Sequence, residues 1–96
     1  MSGLDEPRVV RDHDARQYEV FKGDQRAGLA RDRDEPVVRV FTHTEVDPAF
    51  KGGGLAGRLA RKALDDARAE GLKVVPQCAY IAAYIEKHEE YADLVG

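Results

Sequence analysis

The chain has 96 residues, enough for one domain built on a single core and too few for two. Hydrophobic residues make up 43% and charged residues 34%, a globular balance that excludes a disordered tail. A net charge of −3 excludes a generally basic face for nucleic acid, and no apolar run approaches a membrane span or a secretory signal. No nucleic-acid partner, no membrane association and a cytoplasmic location are therefore expected. A single cysteine, Cys78, rules out an internal disulfide and a cysteine-based metal site, and no clustered ligand spacing points to any metal.

Residues 1–7 read as a flexible leader, with Val9-Val10 opening a short strand. Gln17 to Lys22 alternates through Tyr18 and Val20 and meets a turn signal at Gly23-Asp24, from which Arg26 to Arg31 returns as a second strand. Asp32 to Pro36 reads as a charged connection. Val37 to Val46 is the longest strand candidate, because β-branched residues recur along it. Strict alternation puts Val38, Val40, Thr42, Thr44 and Val46 on one face and Phe41, His43 and Glu45 on the other, unless a bulge intervenes.

The spacing then turns helical. Leu55, Leu59, Ala63 and Ala67 recur every fourth residue, Arg58, Arg61, Lys62, Asp65, Asp66 and Arg68 supply a solvated surface, and Gly71 ends the helix. Lys73 to Cys78 reads as a short strand whose Pro76 marks an edge or a break. Ala79 to Lys87 reads as a second helix, and His88 to Gly96 as a closing turn with Tyr91, Leu94 and Val95 packing back. The expected architecture is an α/β (α+β) single domain over residues 1–96: an antiparallel meander of three or four strands, then helix, strand, helix.

The most telling stretch lies between strand and helix: Lys51-Gly52-Gly53-Gly54-Leu55-Ala56-Gly57. Glycines strip side chains from the backbone where a helix begins, so the unpaired N–H groups of its first turn and the positive end of its dipole face outward. That is a seat for a phosphate or diphosphate. Gly52-x-Gly54-x-x-Gly57 matches the dinucleotide fingerprint in letters only. Asp47 to Lys51 separates the strand from the glycines, the next strand ends in Gln77-Cys78 without the ribose-binding carboxylate, and the chain is too short for the required βα units. A Walker-type loop fails because no Gly-Lys-Ser/Thr follows.

Lys51-x-x-Gly54-x-Ala56 resembles the Gln/Arg-x-x-Gly-x-Gly/Ala loop of the GNAT superfamily of acetyl-CoA-dependent N-acetyltransferases. The wider text is more specific: Phe41-Thr42-His43-Thr44-Glu45-Val46, Leu64-Asp65-Asp66-Ala67-Arg68, Val75-Pro76-x-Cys78-x-Tyr80, Ala83-Tyr84-Ile85 and His88-x-Glu90-Tyr91-x-Asp93-Leu94-Val95. Together these are similar to the minimal, roughly hundred-residue branch sometimes called YjdJ-type, from about Gln17 to Val95. Lys51 stands where arginine or glutamine is usual, which keeps the charge and loses the planar fork.

The resemblance implies acetyl-CoA as donor and an unknown amine as acceptor, a protein lysine or another primary amine. It implies that the strand ending at Val46 splays from the strand at Val74, and that the pantetheine arm enters the gap. The cofactor would then be held by Val46, Lys51, Gly52, Gly53, Gly54, Leu55, Ala56 and Arg58. The catalytic candidates are Cys78, as a thiolate that accepts the acetyl group or as pocket lining; His43, as its base or the amine's; Glu45, as orienting partner or base; and Tyr84, with Tyr80 four residues earlier, as a proton donor to the leaving thiolate. Each has a plainer reading: a buried small hydrophobe, a structural imidazole, a solvated carboxylate and a core aromatic. The function expected is N-acetyl transfer, directly or through Cys78, by a monomer or weak homodimer. The alternative is a CoA-binding interaction module without efficient catalysis.

Overall fold

The computed structural model describes residues 6–95, so the expected flexible leader lies mostly outside the described residues. Five strands, β1 (Arg8–Asp12), β2 (Gln17–Lys22), β3 (Gln25–Glu35), β4 (Val38–Val46) and β5 (Lys73–Pro76), form one sheet in sequential order. Helix α1 (Leu55–Ala69) connects β4 to β5, and α2 (Ala79–Lys87) follows β5. Pairing is antiparallel from β1 to β4 and parallel between β4 and β5. Tight turns suffice for the former, whereas a parallel neighbour needs a crossover, which α1 supplies.

Both helices pack on the sheet face that carries Tyr18, Val20, Ala30, Phe41 and Val74. The α1 stripe predicted from its four-residue spacing is buried there, with Ala60 and Leu64 beside it. Ile81 and Ile85 of α2 close the same core, as do Tyr91 and Leu94 of a 3-10 turn at Glu89–Leu94. Val95, expected to pack back, is 46% exposed. Its backbone bridges Val74 instead, on the outer side of β5.

Two sequence expectations are corrected. Asp32 to Glu35 is not a connection: β3 runs through it, and Asp32 and Asp34 pair in register with Phe41 and Arg39. Their charge looked like a loop, but both carboxylates are neutralised on the helix-bearing face, Asp32 by Arg11 and Arg16 and Asp34 by Arg39 and Arg16. The second correction concerns β4. Arg31 pairs with His43 and Asp32 with Phe41, which leaves Thr42 as an extra residue. This bulge reverses the alternation after Phe41. Thr44 and Val46 therefore share Phe41's face, while His43 and Glu45 look out from the face that carries no helix.

Candidate active site

Strand β5 pairs with β4 only as far as Phe41 and Pro76. The proline has no N–H to continue the ladder, and the chain turns away into α2 with the Cys78 N–H donating to the Phe41 carbonyl at 2.9 Å. From Thr42 to Val46, β4 carries no described strand on its β5 side, so the two central strands diverge as expected. A cavity of about 460 Å³ occupies the divergence.

One wall of the cavity is β4, through Thr44, Glu45 and Val46; the opposite wall is Tyr80 from the first turn of α2. The floor is the loop into α1, with Phe50, Lys51, Gly52, Gly54, Leu55, Ala56 and Gly57. A 3-10 turn at Pro48–Phe50, capped by the Asp47 carboxylate accepting from the Ala49 N–H at 2.9 Å, swings the chain from strand to loop. Gly54 then precedes the helix with a φ of 73°, a left-handed conformation that a side chain strains. A Cβ there would meet nothing within 4 Å, so the space above it is open.

No side chain caps α1, and its first satisfied N–H is that of Arg58, donating to the Gly54 carbonyl at 3.2 Å. Among the described residues the N–H groups of Leu55, Ala56 and Gly57 find no acceptor. They line the cavity with the helix dipole behind them, which favours an anion. Of the predicted cofactor residues, Val46, Lys51, Gly52, Gly54, Leu55 and Ala56 line this cavity. Gly53 faces a neighbouring depression with Lys22 and Ala49, and Arg58 faces a separate trough along α1.

The predicted catalytic residues separate into two groups. Cys78, 8% exposed, donates its thiol to the Thr44 hydroxyl at 3.2 Å, on the helix-bearing side of the sheet. His43 and Glu45 lie on the other face, where His43 Nε2 and Glu45 Oε1 are 2.7 Å apart and both side chains are more than half exposed. The structure therefore joins His43 to Glu45 and does not join His43 to Cys78. Glu45 reaches the cavity rim from that side. Tyr84 does not line the cavity; it lies in the trough beside Arg58, its ring stacked on His88. Tyr80 takes the cavity position instead, and burial raises its phenol above the ordinary value, so it is protonated at neutral pH.

Thr44 and Phe50 were not singled out from the sequence, Thr44 because its facing depends on the bulge. At the far end of the sheet lies a second polar cluster. Arg39, 3% exposed, donates to Asp34 at 2.7 and 3.1 Å, to Glu70 beyond α1 at 2.9 and 3.1 Å and to the Tyr18 hydroxyl at 3.0 Å. This network clamps the C-terminal end of α1 to the sheet, and so aims the other end of the helix at the cavity. Among the described residues no cluster of His, Cys, Asp or Glu could hold a metal, and no helix is long and apolar enough to cross a membrane.

The GCN5-related N-acetyl-transferase family matches residues 17–94, and the chain belongs to that family. Among curated proteins it is similar to Protein NATD1 of Mus musculus, 35% identical over 83 residues that cover 84% of this chain and 76% of that protein. It is also similar to Protein NATD1 of Xenopus tropicalis, 44% identical over 46 residues, 48% of this chain and 42% of that one. The latter match thus spans less than half of the relative's length. The fold is that of a GCN5-like protein from Staphylococcus aureus solved in solution, with a TM-score of 0.73, 19% identity, and coverage of 100% of this chain and 91% of that one.

Proposed function

We propose that this domain transfers the acetyl group of acetyl-CoA to the nitrogen of a primary amine, a protein lysine being the acceptor best suited to so open a site. One observation carries the reading: a single cavity joins the unpaired N–H groups at the start of α1 to the unpaired edge of β4. Acetyl-CoA needs those two surfaces together, an anion seat for its diphosphate and a strand-like edge for the amides of its pantetheine arm. The loop Lys51 to Ala56 would hold the diphosphate, and Val46 the arm.

The donor supplies an activated acyl group as a thioester. Main-chain N–H groups beside Val46 polarise its carbonyl as negative charge grows on the oxygen. Glu45, steadied by His43, takes the proton from the attacking amine at the cavity rim, and Tyr80 returns one to the departing sulfur. Attack is direct in this reading. The Cys78 thiol spends its proton on Thr44, and the imidazole that would activate it faces the other side of the sheet. Cys78 then acts as lining.

The test is release of free CoA thiol from acetyl-CoA in the presence of a panel of amines and lysine peptides. Acceptor-dependent release above the buffer's own hydrolysis rate is expected. Tight binding of acetyl-CoA with no acceptor-dependent release across the panel would replace the enzyme by the interaction module.

A further inference from the structure

The reading above engages the diphosphate and the pantetheine arm and leaves a second concavity unused. This trough, about 580 Å³, runs along the outer side of α1 and shares Gly54 and Gly57 with the first cavity, so the two meet at the start of the helix. Arg58 and Arg61, one helical turn apart, both line it, and both are exposed. Among the described residues neither has an ion-pair partner, in contrast to Lys62, which is bound to Asp66 at 2.9 Å. The carboxylate in the trough, Asp65, accepts from the Tyr91 hydroxyl at 2.7 Å.

Tyr84 forms the aromatic side of the trough. Its ring is stacked on His88 with centroids 3.9 Å apart and planes 13° apart, and the imidazole is itself fixed by its Nδ1 lying 2.8 Å from the Tyr84 carbonyl oxygen. The absence of a side chain at Gly57 brings the ring close to α1: a Cβ there would lie 3.8 Å from Tyr84 Cε2. A braced aromatic ring facing two unpaired guanidinium groups matches a flat heterocycle that carries a phosphate.

We propose that this trough is a second anion seat, in which Tyr84 stacks on a purine and Arg58 and Arg61 hold a phosphate on the attached ribose, so that the domain selects CoA over analogues lacking the 3′-phosphate. The proposal rests on the cofactor reading above. It gives Tyr84 a binding role in place of proton donation, and it puts the adenosine end of CoA across the helix start from the thioester.

Calorimetric titration with CoA and with 3′-dephospho-CoA tests it. The wild type should bind CoA more tightly by roughly five- to tenfold at low salt, the scale of a charge-assisted phosphate contact at an exposed site. Arg61→Gln, on a solvated helix face, should remove that preference by weakening CoA alone. Tyr84→Leu should weaken both nucleotides alike and leave 4′-phosphopantetheine unaffected. Equal affinity of the wild type for CoA and 3′-dephospho-CoA would overturn the second seat while leaving the diphosphate seat in place. Failure to bind either nucleotide would overturn the cofactor reading itself.

Discussion

Substituting Gly54 tests the proposed diphosphate seat with the fewest side effects. A Cβ there meets no protein atom within 4 Å, so the folding cost is confined to holding an L-residue at a φ of 73°, about 1–2 kcal/mol. For a domain of this size that lowers the Tm by roughly 4–15 °C. Asparagine and aspartate both tolerate this conformation and have nearly the same bulk, so Gly54→Asn and Gly54→Asp should melt close together without ligand. They should differ with it. At an effective dielectric constant of ~20, a carboxylate ~5 Å from a phosphate opposes binding by about 3 kcal/mol, roughly a hundredfold in Kd. Acetyl-CoA at a hundred times its wild-type Kd stabilises the native state by about 2.7 kcal/mol. Differential scanning fluorimetry should then show a full ligand shift for wild type, a reduced one for Gly54→Asn and almost none for Gly54→Asp. If the aspartate variant keeps the wild-type shift, no phosphate approaches the start of α1.

Tyr80→Phe should lower kcat about tenfold with little change in acetyl-CoA affinity, a modest loss for an acid catalyst because a thiolate leaves readily; Tyr84→Phe should leave kcat unchanged. Cys78→Ala should keep turnover within about threefold, and a loss beyond a hundredfold, with a hydroxylamine-labile acetyl adduct on wild type in intact-protein mass spectra, would establish a cysteine-bound intermediate instead. Arg39→Met should cost about 3–5 kcal/mol in urea unfolding, because it strands the Tyr18 hydroxyl and the carboxylates around it. The Asp34 carboxyl is held well below the usual range chiefly by its hydrogen bond to Arg39; burial opposes this as the next largest effect, and Arg16 adds to the lowering. A depressed folded-state value means a contribution fully present above the unfolded value of 3.8 and lost as pH falls below it, so acid unfolding should begin near pH 4 and be blunted in Asp34→Asn.

The order of elements was legible because each announced itself by period: alternation at Tyr18 and Val20, four-residue spacing from Leu55 to Ala67, and glycine at the ends of α1. The position of the glycine loop was legible for the same local reason, since it falls where strand spacing gives way to helical spacing. What escaped was set by pairing between distant strands. Whether Asp32 to Glu35 is a loop depends on Arg11, Arg16 and Arg39 arriving from other strands to neutralise it, which no local window contains. The facing of Thr44, and with it the separation of Cys78 from His43, depends on one unpaired residue in β4 that becomes visible only in the register with β3. The choice between Tyr80 and Tyr84 turned on a single turn of α2, since both tyrosines lie near Gly57 and only the first lines the cavity.

That unpaired residue makes register, more than side-chain identity, the quantity that matters between Phe41 and Thr44. Thr42 is exposed and can be exchanged for many residues at little cost, since its hydroxyl has only a long 3.4 Å contact to the Arg31 carbonyl. Its place outside the ladder is another matter. Were Thr42 to enter the ladder opposite Arg31, the alternation set by Phe41 would run on unbroken through it, turning Thr44 and Val46 to the helix-free face and His43 and Glu45 toward the apolar core. The same segment would then hold the same letters in the same order and lose both the wall of its cavity and the carboxylate at the rim. Along this strand the chain keeps a parity bit, and the cavity exists in one of its two settings.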